Sequence, residues 1–269
     1  MARRDITATV TSQTSPVTGI YLMSITAPEI ASQASPGQFC MLQPVGAIHD
    51  PLLRRPLSIH RTEEDGTLHF LYRRTGRGTE LLSMLKTGDS VKILGPLGNG
   101  FTWNQDIRCI LVGGGMGIAP LLFLADRIAQ KGSDLLVILG AATAGELACL
   151  DSFRAVCRSD MLLTATEDGS LGHRGLVTDL LNDALDSQEL QVTGTADTTV
   201  MACGPWPMMR AVANICARRN VRCQVSLEAH MACGTGLCLG CAVPTANGAG
   251  GYIHVCKEGP VTDAKNIKW

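Results

Sequence analysis

The sequence has almost no charge imbalance: 23 Lys and Arg against 24 Asp and Glu leave a formal net charge of -1. The basic residues are scattered rather than striped, so the electrostatic footprint of a nucleic-acid-binding protein is missing and no such partner is expected. Uninterrupted apolar runs are missing too. The longest candidate, CILVGGGMGIAPLLFLA at 109–125, is cut by Gly113, Gly114, Gly115, Gly117 and Pro120, which makes it strand, turn and helix rather than a membrane span. At the start, MARRDITATVTS enters strand-like alternation without the apolar stretch that a secretory signal needs, and a cytoplasmic location is expected.

What is present falls into three regions, and 269 residues are enough for two domains and a small third. Residues 1–102 hold short alternating runs, among them DITATVTS, GIYLMSIT, GTLHFLYRR and DSVKILGP, separated by Gly, Pro and Asp. They predict an antiparallel β-barrel or sandwich, with one short helix at TELLSMLK. Residues 103–227 alternate Val-, Ile- and Leu-rich runs with helical stretches, the pattern of an α/β domain whose parallel sheet is covered on both faces. Residues 228–269 show little regular periodicity, and Gly and Cys dominate. So short a segment buries too little apolar surface to order itself, which assigns that task to its cysteines.

Eleven cysteines are present, and in a reducing compartment clustered thiols read as ligands rather than staples. Cys40, Cys109, Cys149, Cys157, Cys203, Cys216 and Cys223 lie in apolar segments and read as small buried hydrophobes. Cys233, Cys238 and Cys241 are spaced C-x4-C-x2-C, and Cys256 follows after fourteen further residues. That is the plant-type pattern for a 2Fe-2S cluster. Gly234, Gly236 and Gly240 let the chain wrap with its amides toward sulfur. Zinc sites pair two C-x2-C knuckles, or one knuckle with two histidines, whereas only Cys238 and Cys241 form a knuckle here; zinc is the second reading and a redox disulfide the third.

The turn VGGGMGIAP at 112–120 follows a predicted strand and opens a predicted helix, where free amides and the helix dipole favour a pyrophosphate. The fingerprint is imperfect, since Ile118 stands where G-x-G-x-x-G has its third glycine and Asp134 falls at a strand start. No Lys or Arg occurs in 140–150, which favours NAD over NADP. TVMACGP at 199–205 ends another buried strand at the same sheet edge, bringing Cys203 and Gly204 toward a nicotinamide ring. His173, in TEDGSLGHRG, reads as a loop residue. In the barrel, Arg55 in RRPLSIHR is suited to clamp a pyrophosphate and Ser58 to offer a hydroxyl to a ring nitrogen, while Gly76, Gly78 and Thr79 open the short helix with free amides.

Taken together, RPLS, GRGT, GGGMGIAP, CGP and the four-cysteine segment resemble the ferredoxin-NADP reductase superfamily of flavoproteins. DPLLRRPLSI, LVGGGMGIAPL, EDGSLGHRGLVTDLL, SLEAHMACGTGLCLGC and CKEGPVTDAKNI are similar, in order over nearly the whole chain, to the electron-transfer subunits of NAD-dependent type B dihydroorotate dehydrogenases. The resemblance implies an FAD site at Arg55, Pro56, Leu57, Ser58, Tyr72, Gly76, Gly78 and Thr79. It implies an NAD site at Gly113, Gly115, Gly117, Cys203 and Gly204, and a 2Fe-2S cluster on Cys233, Cys238, Cys241 and Cys256. It also implies a hetero-oligomer, a heterotetramer with an FMN-containing catalytic subunit, serving pyrimidine biosynthesis. Leu57 departs from the superfamily's usual tyrosine, and Thr262 follows GPV in place of an aromatic residue. The chemistry rests on geometry and redox tuning, so no catalytic acid or base is assigned. Two other functions stay open: a subunit of a transhydrogenase or sulfhydrogenase and, in a different class, a zinc-bearing nucleotide-binding sensor.

Overall fold

The alternating runs of the first region form seven strands. In the computed structural model, which describes residues 3–46, 50–187, 198–246 and 251–269, they are β1 (Arg4–Val17), β2 (Ile20–Thr26), β3 (Phe39–Pro44), β4 (Arg55–Ser58), β5 (Arg61–Thr62), β6 (Thr67–Arg73) and β7 (Ser90–Leu97). Their spatial order is β4-β3-β7-β1-β2-β6-β5, with every pairing antiparallel. The two edge strands are consecutive in the chain, with only Ile59 and His60 between them. There the Ile59 amide donates to the Gln38 carbonyl at 3.0 Å and the His60 amide to the His69 carbonyl at 2.8 Å. The chain therefore steps directly from one edge of the sheet to the other, which requires the sheet to roll into a barrel. Val10, Met23, Ile25, Leu42, Phe70 and Ile93 fill the interior. Two short helices, α1 (Pro28–Ala31) and α2 (Arg77–Ser83), interrupt the strands.

The second region supplies β8 (Arg108–Gly114), β9 (Leu135–Ala141), β10 (Leu162–Thr166), β11 (His173–Arg174), β12 (Thr198–Cys203) and β13 (Arg222–Ser226), with helices α3 (Leu121–Gln130), α4 (Leu150–Val156), α5 (Val177–Asp186) and α6 (Trp206–Arg218). Alternate residues of each central strand serve opposite faces. Leu111, Val137 and Leu139 pack with Leu121 and Phe153, while Ile110, Val112 and Ile138 pack with Leu181 and Val212. This two-sided burial is why the strands read as continuous apolar runs. The last region adds β14 (Ala242–Pro244), β15 (Tyr252–His254) and β16 (Val261–Asp263). Strands of three residues are too short for a period of two to register, and they carry no periodic signal.

β16 joins the second sheet, in the order β11-β10-β9-β8-β12-β13-β16, antiparallel to β13 and with Thr262 opposite Val225. All other pairings of that sheet are parallel. The chain runs outward from β8 to β11 and returns at β12, so the switch point lies between β8 and β12. A ligand crevice is expected at the carboxyl ends of those two strands. Phe123 of α3 leaves its own layer to pack in the barrel core, fully buried, a burial that contributes about 2 kcal/mol toward holding the two units together. Among the described residues no helix is long and apolar enough to cross a membrane.

Candidate redox site

A cavity of about 430 Å³ opens between the barrel and the second sheet, lined on the barrel side by Arg55, Pro56, Leu57, Ser58, Tyr72 and Thr79. Six of the eight residues expected at a flavin thus share one wall. The remaining two, Gly76 and Gly78, shape it from behind. Gly76 precedes α2, and the Thr79 hydroxyl accepts from the amides of Thr75 and Gly76 at 2.9 and 3.2 Å while donating to the Gly76 carbonyl. That hydroxyl is therefore engaged in closing its own turn. At Gly78 an added Cβ would run into the Arg55 guanidinium, so glycine there is what lets Arg55 lie across the turn. Arg55 donates to the Leu53 carbonyl at 2.7 Å and has no ion-pair partner among the described residues, a fit for a ligand phosphate. Buried Tyr72 accepts from Gln13 at 2.8 Å and stacks on Tyr21.

The opposite wall was not anticipated. Leu227, Glu228, Ala229, His230 and Met231 line the same cavity. Desolvation raises the pKa of the Glu228 carboxyl. The available signal was positional: SLE ends the last parallel strand, where the carboxyl-end rule places ligands.

At the switch point, β8 ends in Gly113 and Gly114, and the chain turns through a 3-10 segment, Gly115–Ile118, before α3 begins at Leu121. The expected direct entry from glycine turn to α-helix is thus replaced by a tighter turn. Gly115 has φ +54°, a region that favours glycine. A Cβ on Gly117 would collide with the backbone of Cys203 and Gly204, so the loops from the two switch strands touch as expected. A Cβ on Gly113 would meet Leu121, Ile118 and Leu139 at 3.0–3.1 Å, which assigns Gly113 to helix–sheet packing. Burial, helped by the nearby Glu228 charge, pushes the Cys203 thiol up to about 12, so it stays neutral. His173 sits on the short β11 rather than in a loop and lies 3.5 Å from Asp179. Asp134 lies 3.4 Å from Arg108 at the start of β8, far along the strand from the crevice.

The loop that carries Cys233 packs on the barrel at Gly234, against Met41. Cys233 Sγ accepts from the amides of Thr235, Leu237 and Cys238 at 3.3, 3.3 and 3.4 Å. Burial opposes ionisation, but the Thr235 and Cys238 amides outweigh it and lower Cys233 from 9.0 to about 5. Cys256 Sγ accepts from the Gly236 amide at 3.1 Å, and Cys241 Sγ from the Cys256 amide at 3.4 Å. Cys241 and Cys256 are 3.3 Å apart at sulfur, and burial, then the neighbouring Cys241 thiol, push Cys256 up to about 12; metal binding displaces such protons. Among the described residues no three His, Cys, Asp or Glu side chains converge on one point. A two-iron cluster needs two pairs, and Cys241–Cys256 form one. The amides pointing at sulfur complete a donor set suited to an anionic cluster.

A rolled antiparallel barrel, a switch-point crevice and a four-thiol loop define a flavin-type NAD oxidoreductase with an iron-sulfur domain. Residues 111–214 match the oxidoreductase NAD-binding domain, and residues 228–268 match the iron-sulfur cluster binding domain of dihydroorotate dehydrogenase B. The chain belongs to the family of electron transfer subunits of dihydroorotate dehydrogenase B (NAD(+)). It is 38% identical to that subunit from Desulforamulus reducens over 252 residues, covering 93% of this chain and 92% of the relative. To the Geobacillus kaustophilus subunit it is 37% identical, covering 96% of both. Among solved structures, the NADH-dependent reduced ferredoxin-NADP oxidoreductase of flavin-based electron bifurcation superposes with a TM-score of 0.83 at 30% identity, over 97% of this chain and 90% of that one. A Neisseria gonorrhoeae ferredoxin NADP+ reductase with bound FAD and NADP shares the fold, with a TM-score of 0.65 over 80% of this chain and 91% of that one, at 18% identity. The chain is thus an oxidoreductase subunit whose cofactors are FAD, a 2Fe-2S cluster and NAD, and the iron-sulfur match replaces the zinc reading.

Proposed function

We propose that this chain links dihydroorotate oxidation on an FMN-containing catalytic subunit to reduction of NAD+, in a cytoplasmic heterotetramer serving pyrimidine biosynthesis. One observation carries the reading. The wall of the flavin cavity, Leu227 to Met231, runs without a break into the cluster loop that begins at Cys233, so the two cofactor sites adjoin along one segment. FAD supplies the conversion between a hydride's electron pair and the single electrons of a cluster. The residues provide the rest. Arg55 and Ser58 hold the flavin's phosphates and ring, Gly115, Gly117, Cys203 and Gly204 receive NAD, and the four cysteines hold the cluster. On the far side of that loop Cys238 is exposed, flanked by Leu237 at 84% and Leu239 at 57% exposure, an apolar approach for a partner. The corresponding domain limits are 1–102, 103–227 and 228–269.

Co-purification with the catalytic subunit should give NAD+ reduction driven by dihydroorotate. Full turnover without this chain would overturn the proposal. A second reading, a subunit of a transhydrogenase, is favoured by the similarity to the bifurcating NADH-dependent enzyme; ferredoxin-coupled NADP+ reduction by the complex, with no turnover of dihydroorotate, would select it. Gly78→Ala is expected to displace Arg55 and weaken FAD binding about tenfold, the worth of one charge-assisted hydrogen bond. FAD titration of the deflavinated protein reads this directly, and unchanged affinity would remove Arg55 from the phosphate site.

A further inference from the structure

We infer that His60 is a positioning residue, which locks the nicotinamide-binding loop to the flavin-binding strand and so presets the geometry of hydride transfer. The inference rests on the NAD and FAD reading given above. His60 sits where the barrel closes, two residues beyond Ser58 of the flavin cavity. Its Nδ1 lies 2.6 Å from the Ala119 carbonyl oxygen. A carbonyl only accepts, so Nδ1 carries the proton. Both partners are buried, His60 to 2% and Ala119 to 4% exposure.

Ala119 closes the turn that follows the glycine run, its amide donating to Met116 at 3.0 Å. Two residues earlier lies Gly117, against the Cys203 and Gly204 backbone. A shift at Ala119 therefore reaches both halves of the crevice. The next residues on the barrel side extend the connection. Arg61 Nε is 3.7 Å from Asp126 of α3, and the Thr62 hydroxyl accepts from Arg127 at 3.2 Å. Phe123, on the same helix, fills the barrel core. Three consecutive side chains thus hold one helix and its entry loop, and the His60 contact is the one nearest in sequence to the glycine turn. Burial lowers the His60 pKa to about 4, so the ring stays neutral and the bond persists through the neutral range. Strand and loop move as one body, so the nicotinamide meets a flavin whose distance is already set, with no need for the two units to close on it.

The test uses the full chain loaded with FAD and iron, mixed anaerobically with NADH. His60→Phe keeps the bulk and removes the donor, whereas His60→Asn keeps an N–H near the Nδ1 position. His60→Phe should slow flavin reduction about ten- to a hundredfold, the scale of a displacement near an ångström. It should also diminish the long-wavelength charge-transfer band of the NADH–flavin complex, with FAD and iron contents unchanged. Amide hydrogen exchange should rise at 116–119 before NADH is added. His60→Asn should restore most of the rate and the band. Rate and band in His60→Phe within twofold of wild type, or equal losses in both variants, would overturn the inference. Failure of NADH to reduce the wild-type flavin would instead overturn the functional reading, and the inference with it.

Discussion

Replacing Cys233 by serine is expected to strip the iron-sulfur cluster from the chain while leaving FAD bound and reducible by NADH. Cys233 Sγ collects three backbone amides, from Thr235, Leu237 and Cys238, and these hold it as a thiolate ready for iron. A serine hydroxyl in that place stays protonated and is a harder donor, and the iron it should share with Cys238 loses half of its protein ligands. Changes to the outer shell alone cost metal sites about 10- to 100-fold in affinity, so losing a ligand should exceed that. Iron analysis should fall to background, and NAD+ reduction driven by the partner should drop by at least about a hundredfold on the same scale. NADH should still bleach the flavin at the wild-type rate. Loss of FAD together with iron would show that the loop at 232–241 also supports the flavin wall at 227–231, and would contradict the separation of the two sites.

Gly117→Ala is the complementary lesion. The added methyl would overlap the carbonyl of Cys203 and the amide of Gly204, and backbone at the end of two central strands has little room to give. Overpacking of this kind costs about 1–3 kcal/mol, and the relief available is to part the loops that form the crevice. Hydride transfer between NAD and flavin should fall about a hundredfold, as expected for misplacement near an ångström. Cluster and FAD contents should stay close to wild-type levels, because Gly117 lines neither site and, of Gly115–Ile118, only Met116 borders the flavin cavity. Stopped-flow reduction by NADH reads the first, and visible absorption the second. Wild-type hydride transfer in Gly117→Ala would mean that the nicotinamide lies elsewhere.

The architecture was legible because its signals are repeated. Alternation in β1, β2, β6 and β7 and the apolar runs of β8, β9 and β12 each span six or more residues, long enough for a period to show. β14, β15 and β16, at three residues each, fall below that length, and nothing in their composition announces that β16 completes the second sheet. The cluster was legible from spacing alone, since a wrapped loop brings nearby thiols together whatever surrounds it. Half of the flavin cavity was not. Leu227 to Met231 face the barrel only because β13 ends beside it, a contact between residues far apart in the chain. His60 was hidden for the same reason. Within RRPLSIHR it is one polar residue among several, and its bond to Ala119 joins positions 59 residues apart.

The central claim is that electrons pass within this one chain between NAD and the cluster. It is tested most directly by anaerobic titration of the FAD- and iron-loaded protein with NADH, followed by visible absorption and electron paramagnetic resonance on the same samples. Flavin absorbance should bleach while the signal of a reduced 2Fe-2S cluster grows, and in Cys233→Ser the flavin should bleach with no such signal. A wild-type protein with full iron content whose flavin bleaches while the cluster stays oxidised, although dithionite reduces it, would contradict the account.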